Sequence, residues 1–507
     1  MKRIAVIICA FLLCALFMCA CSKEYVTVKN RDGGKIELTV HDDTKKTVTL
    51  APNYDCSIRV EPVSGKDEVT ILENPGYKLL YYEVNGEKIY DPSIDLSDCT
   101  DGATVNVVMD YATYELPIVN IDTDGKEIVT KSAYYNMSFS LINTDKELEN
   151  VKGGIRLRGN ATLLFPKKAY RMEFTDKQGL FGHEEARSWV LLADYLDPSA
   201  LNNYAAFSLG AKSDAHLFTP TAHKVNVYIN GDFRGLYTLC ELIEEEPGRL
   251  GIEQRITGDM MDLKDFNFLV SMDKYAVDDP DARRNETYFY IESIDKYFEL
   301  KYPTKKDFVS EYQFRQFFSQ LVLYYEDIIA AFQSGDTEKI KSEVNVDSLV
   351  DYLIIDQIMG EKDHYWKSFN MFYIADSSNE KASGKLNFGP VWDYDWALYT
   401  PYTEAPNQHY EIGEDYRFTN FFYMSVMENP ELYDRVEQRY NGVFAPALAE
   451  VIADLKVQEG KMTESYKENQ KRWYSSTPDI TEKNIDFLNR YLDFRLEFLK
   501  EKWSLDK

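Results

Sequence analysis

Three acidic residues, Asp363, Asp393 and Asp395, and one amide, Asn370, fall in the stretch DQIMGEKDHYWKSFNMFYIADSSNEKASGKLNFGPVWDYDW that runs from Asp356 to Trp396. Carboxylates and an amide oxygen that converge suit a hard divalent cation such as Mg2+. Such an ion takes few protein oxygens and shares the rest of its shell with phosphates. Convergence requires a hairpin. NMFYI and LNFGPVW have the β-branched and aromatic content of short strands, and the polar SSNEKASGK reads as the turn between them. That pairing brings Asp363 and Asn370 against the WDYD segment. An Asp after Trp also fits a solvated strand end, so spacing alone leaves both readings open.

Two further charges ask for partners. In KKAYRMEF, Tyr170, Met172 and Phe174 alternate with Arg171 and Glu173, which puts Lys168 on the apolar face of a strand. A bare ammonium is costly there unless something negative meets it; the alternative is that it snorkels out at the strand end. Glu241 closes the second strand of HKVNVYINGDFRGLYTLCEL, where Asn230-Gly231 is a strong hairpin signal. Its charge also implies a partner.

The elements that must hold these residues follow from pattern. At 507 residues and 44% apolar, with 37 tyrosines, the chain is long enough for more than one domain and a large core. Its net charge of −27 excludes a nucleic-acid backbone as partner, since phosphates would be repelled. Lys2 and Arg3 precede the apolar run IAVIICAFLLCALFMCAC, the pattern of an export signal. Its end, Met18-Cys19-Ala20-Cys21, resembles a lipoprotein signal over residues 1–21. A lipidated Cys21 would tether an extracytoplasmic protein to a membrane face. Of the seven cysteines, Cys9, Cys14 and Cys19 lie in this leader, and Cys56 and Cys99 could pair in an oxidising compartment.

Residues 22–115 read as a small all-β module, with YVTVKN, KIELTV, KTVTLA, CSIRVEPV, EVTIL, KLLYYEVNG and TVNVVMD as strands between turn residues. PGYKLLYYEVNGEKIYDPSIDLSDCTDGATVNVVMDY resembles the repeat modules of bacterial surface proteins, including the internalin-type B-repeat, which implies a spacer or an adhesive stalk. PIVNIDTDGKEI reads as strand, turn and strand. From Phe308 the period becomes helical, in FVSEYQFRQFFSQLVLYYEDIIAAFQS and in VDSLVDYLIIDQIM, where Asp347 is placed as a cap. The tail from Phe421 to Trp503 reads as mostly helical. The expectation is an α+β chain.

Four motifs in order carry a resemblance over residues 116–507. IRLRGNATLLFPKKAYRMEF, WVLLADYLDPSALNNYAA, VNVYINGDFRGLYTLCELIEE and FGPVWDYDWA resemble the successive motifs of the CotH family, named for spore coat protein H. The resemblance implies an atypical protein-kinase-like domain of two lobes, β-rich then helical, that uses ATP and Mg2+ or Mn2+ on serines of coat or surface proteins. It implies Asp363 at the catalytic-loop position, with Asp356 as the competing alignment, and Asp393 as the metal-binding aspartate. Asn370 and Asp395 would complete the metal site. Lys168, or else Lys167, would meet the nucleotide phosphates, with Glu241 orienting that lysine. Arg158 and Asn160 of the RGN motif would belong to the nucleotide side.

Positive charge and positioning are what phosphoryl transfer asks of a protein. No GxGxxG loop and no Walker A sequence is present. Asn370 lies seven residues after Asp363 where ordinary kinases have five, and Asn202 stands where the family often has arginine. The competing expectation is a non-catalytic surface protein that uses a kinase-like scaffold for binding. A glycosidase with paired carboxylates would explain the aspartates but neither Lys168 nor RGN. The six histidines show no ligand spacing, and His364 reads as a packing or loop residue.

Overall fold

Seven strands with alternating burial close on themselves into a barrel: β1 (Ile118–Asp122), β2 (Tyr135–Ile142), β3 (Leu148–Arg158), β4 (Ala169–Gln178), β5 (Ala186–Leu192), β6 (His223–Ile229) and β7 (Asp232–Glu241). The order is β1-β2-β3-β4-β5-β7-β6. Every pairing is antiparallel except the closure of β6 on β1, which is parallel. This computed structural model describes residues 26–503 apart from 33, 42–44, 278–282, 284–285, 362, 377, 398–419 and 475–483. The expected leader and Cys21 lie outside the described residues.

Phe139, Tyr170, Met172, Phe174, Trp189, Val225, Val227, Tyr237 and Leu239 fill the barrel. The apolar face of KKAYRMEF is therefore the barrel interior, while Lys167, Ala169 and Arg171 open onto an outer cleft. The Asn230-Gly231 hairpin forms as expected, with positive φ at both residues (52° and 75°). The strand expected after the turn in PIVNIDTDGKEI does not form; β2 instead starts at Tyr135.

A second sheet follows: β8 (Phe268–Met272), β9 (Tyr288–Ile291), β10 (Lys296–Tyr302), β11 (Phe369–Tyr373) and β12 (Leu386–Phe388), in the order β9-β10-β8-β11-β12. β11 and β12 are the two strands expected around SSNEKASGK, with Met371 opposite Phe388.

The described helices are α1 (Asn202–Gly210), α2 (Glu311–Ser334), α3 (Thr337–Glu343), α4 (Val346–Met359), which packs on β12, α5 (Phe421–Glu428), α6 (Pro430–Arg439), α7 (Ala445–Lys461), α8 (Thr463–Trp473) and α9 (Phe487–Trp503). In α2 the residues Phe314, Phe317, Leu321, Tyr325, Ile328 and Phe332 recur at helical spacing and are buried. Ser310 caps its N-terminus, and Gly335 ends it at φ 68°. α4 is buried on nearly every side from Ser348 to Met359. Its cap is Asn345 rather than Asp347, which instead holds Arg435 at 2.6 and 2.8 Å. The chain is thus a mixed α+β protein. Among the described residues no helix is long and apolar enough to cross a membrane.

All seven strands expected in the N-terminal module form, with short extra strands at Glu87–Ile89 and Ser93–Asp95. They make a six-stranded and a three-stranded sheet. Its core continues into the barrel through Ile118, Tyr228 and Phe233. The Tyr77 and Tyr111 rings pack on Tyr228 at 5.3 and 4.8 Å. The module is therefore seated on the barrel, not hung from it. Cys56 and Cys99 are free thiols and do not pair, as is Cys240.

Helix α8 joins all three parts. Glu115 Oε2 accepts from the main-chain N–H groups of Glu464 and Ser465, where a carboxylate complements the helix N-terminus. Glu468 accepts from Gly76 N–H, and Asn469 Oδ1 from Leu236 N–H. Trp473 Nε1 donates to the Arg234 carbonyl. The helix fits because Gly235 sits at φ 108°; a Cβ there would lie 2.4 Å from Asn469 Oδ1.

Candidate active site

One cleft of about 550 Å³ between the barrel and the helical half gathers most of the residues singled out in the sequence. Arg158, Asn160 and Lys167 line one side, and Asp363, Asn370, Asp393 and Asp395 the other.

The barrel side is a turn between β3 and β4. Gly159 takes φ 95°, and a Cβ there would fall 1.9 Å from Thr162 Oγ1, so only glycine fits. Thr162 lines the cleft, and its Oγ1 is buried with no hydrogen-bond partner among the described residues. Asn160 Oδ1 accepts from Lys131 at 2.8 Å. Lys167 is buried, donates from Nζ to the Leu236 carbonyl at 2.5 Å and stands 4.5 Å from the Tyr237 ring. Lys168 does not reach the cleft. Its Nζ donates to the carbonyls of Leu163 and Phe165 at 2.7 and 2.5 Å, tying down the short turn before β4.

Glu241 meets neither lysine. It accepts from Thr221 N–H at 2.8 Å and lies 3.4 Å from His183 Nδ1. The buried lysine–carboxylate pair of the barrel is Lys224 with Asp194, at 2.9 Å. Lys224 Nζ also donates to the Ala200 carbonyl, and Thr238 Oγ1 donates to Asp194.

On the opposite side a tight turn carries Asp363 to Lys367. Lys367 N–H donates to the Asp363 carbonyl at 2.9 Å, and its Nζ returns to Asp363 Oδ2 at 2.7 Å. The same ammonium stands 4.0 Å from Asp393 Oδ2. Trp366 Nε1 donates to Asp363 Oδ1 at 3.1 Å, and Ser368 Oγ to Asp393 Oδ2 at 2.7 Å. Ser368 and Asp393 both hold positive φ, 56° and 72°. Each such backbone costs about 1–3 kcal/mol and persists only where its surroundings impose it. Two in contact mark this as the strained point of the cleft.

Asp356, the competing aspartate, faces away. Its carboxylate takes His364 Nδ1 at 2.9 Å and the hydroxyls of Tyr394 and Tyr423, each at 2.6 Å. His364 Nε2 lies 2.8 Å from the Trp392 carbonyl. Both its partners are acceptors, so the ring donates from both nitrogens and is an imidazolium. Burial opposes that charge, but Asp356 and Glu361 prevail and push its pKa up to about 9. His364 is thus a brace between Asp356 and the WDYD segment, not a base.

The two carboxyls of WDYD titrate apart. Burial works against the charge of Asp393, yet Lys367, the Ser368 hydroxyl and Arg158 outweigh it and lower its pKa. Asp395 goes the other way, raised well above the carboxylate range by burial and then by Asp393. One carboxylate and one carboxylic acid side by side form a site where a divalent cation would displace a proton. Among the described residues no three His, Cys, Asp or Glu side chains are grouped to hold a metal. Asp393, Asp395 and Asn370 all line the cleft, and two carboxyls with one amide are the kind of sparse oxygen set that Mg2+ accepts.

Sequence reasoning missed Lys367, Ser368, Arg171 and Asp273, all of which line the cleft. Lys367 had a signal, since an acid four residues before a lysine meets it across one helical turn. Phe165 and Tyr195 also line the cleft, and the Phe165, Tyr195 and Tyr474 rings stack in series at 5.5 and 5.2 Å, with Tyr474 arriving on the end of α8.

A family described as CotH kinase protein matches residues 155–499. The chain belongs to that family. Membership places it among kinases, which draw on ATP and a divalent metal and act on a protein substrate. The match begins inside β3 and ends inside α9, so the cleft falls wholly within it. No curated protein matches the chain.

Proposed function

We propose that this CotH-family chain is a membrane-tethered, extracytoplasmic protein kinase. It would transfer the γ-phosphoryl group of ATP to serine or threonine hydroxyls of surface or secreted proteins. The barrel and the helical half act as the two lobes of an atypical kinase. The observation that carries this reading is Lys367 set between Asp363 and Asp393, across one cleft from Arg158 and Lys167.

Bound ATP with Mg2+ or Mn2+ supplies the transferable phosphoryl group. Asp393, Asp395 and Asn370 hold the cation. Arg158, Lys167 and the Gly159–Thr162 turn face the phosphates with positive charge and a spare hydroxyl. Asp363 orients the acceptor hydroxyl and takes its proton as the new oxygen–phosphorus bond forms, while the β–γ bridge breaks and its electron pair leaves with ADP. Lys367 holds Asp363 in place and offsets charge that builds on the phosphoryl oxygens.

Thermal unfolding with and without ATP and Mg2+ tests this. A ligand that binds only the folded state at a hundred times its dissociation constant stabilises it by about 2.7 kcal/mol. The expected result is a metal-dependent rise in melting temperature with phosphate transfer, both abolished in Asp393→Ala. Transfer retained in that variant would overturn the site, and no shift with any nucleotide would favour a binding scaffold. The tether at Cys21 is tested by fractionation: Cys21→Ala should move the protein out of the membrane fraction.

A further inference from the structure

Beside Asp363 lies a ledge that the proposed transfer step does not use. Tyr365 and Trp366 stack with centroids 5.0 Å apart and 8° between their planes. Trp366 is fixed twice, by Nε1 on Asp363 and by its carbonyl, which accepts from Lys274 N–H at 2.8 Å. Lys274 lays its ammonium on the Trp366 face and stands 4.9 Å from the Tyr275 ring. Lys296 Nζ is 5.6 Å from the Tyr365 ring. Tyr275, 38% exposed, carries the ledge to the cleft it lines.

Neither Lys274 nor Lys296 has a carboxylate within ion-pair distance among the described residues. The carboxylates nearest Lys274 are engaged: Asp363 by Lys367 and Trp366, and Asp273 by Tyr275 N–H. Asp295, next to Lys296, takes the Tyr290 hydroxyl. Both lysines are half-buried, in a chain with 84 acidic and 57 basic side chains. Ring faces offset part of the lost hydration, and an incoming carboxylate would offset the rest.

We infer that this ledge docks the acceptor segment, and that the segment carries Asp or Glu beside the acceptor hydroxyl. The inference rests on the kinase reading and adds the substrate class to it. The net charge of −27 pulls the other way, toward basic partners. Its reach is about 8 Å at physiological salt, so at contact the two lysines decide.

The test measures binding of fluorescent serine peptides flanked by Glu, Ala or Lys to the full chain at 0.15 M salt, with transfer to each measured separately. The Glu-flanked peptide should bind at least tenfold more tightly than the Lys-flanked one. The double variant Lys274→Glu/Lys296→Glu should reverse that order and keep its nucleotide-induced thermal shift. Equal or reversed preference in the unmodified chain, or an unchanged order in the variant, would overturn the ledge. Acidic preference in binding without transfer to any peptide would leave the ledge standing and overturn the kinase reading instead.

Discussion

The side-chain oxygen of Asn203 accepts a hydrogen bond from the main-chain N–H of Tyr394 at 3.0 Å, and its NH2 group donates to Asp194 at 3.0 Å. One amide thus links the buried Lys224–Asp194 pair to the peptide between Asp393 and Asp395. Barrel and cleft carboxyls are held in register by a side chain that itself lines the cleft.

Replacing Asn203 should therefore act through the Asp393–Asp395 segment that it holds. Asn203→Leu strands a buried N–H and one lone pair of Asp194, at about 1–3 kcal/mol for each unmet group. Urea unfolding should show that loss, and the ATP- and Mg2+-induced thermal shift should shrink with it. A full shift on a destabilised background would mean that Asn203 supports the fold alone.

The adjacent lysines Lys167 and Lys168 should separate cleanly. Lys168→Ala removes two hydrogen bonds to turn carbonyls and should lower stability by roughly 1–3 kcal/mol while leaving nucleotide affinity intact. Lys167→Ala removes a cation from the cleft and should weaken nucleotide binding tenfold or more. Calorimetric titration with ATP and Mg2+ on both variants decides which lysine serves the phosphates.

Lys367→Met should leave nucleotide binding close to normal and cut the rate of transfer, because its ammonium holds Asp363 at 2.7 Å. A loss near 10²-fold in kcat with KM for ATP little changed is the expected split. Lys367→Arg should restore part of the rate. A rise in KM with kcat unchanged would instead make Lys367 a nucleotide contact.

Stability should fall on the alkaline side. His364 is raised on folding from its ordinary 6.5 to about 9, so its contribution is whole below pH 6.5 and disappears as pH rises through 9. Glu361 is pushed up from 4.5 to about 8 by burial, against the pull of His364, so its ionisation costs stability as pH climbs between those values. Melting temperature should drop between about pH 6.5 and 9, and Glu361→Gln should drop less. A flat profile would show that His364 is neutral in the folded protein.

Much of this was open to reading from residue types. Asp363, Asn370, Asp393 and Asp395 fall on one side of one cleft because a hairpin at SSNEKASGK brings them there, and turn chemistry is local. Lys168 was misplaced for a reason the sequence does not hold. Strand alternation correctly puts it on the face of Tyr170 and Met172, but that face looks into a closed barrel, and the cleft lies behind it. Closure depends on β6 meeting β1 across more than a hundred residues, and no local pattern announces it. Glu241 was misjudged on the same ground. Its partners, Thr221 and His183, come from segments whose approach is set by the barrel and not by spacing.

Helix α8 also bears on the order in which the protein is made. The barrel has all its strands once Glu241 has been synthesised, yet the notch at Gly235 and the stack on Tyr195 wait for residues 463–474. A nascent chain therefore carries a barrel with one flank bare. That flank is covered only once residues 463–474 exist, so a chain that stops before them would leave Gly235 and the Tyr195 ring without their partners.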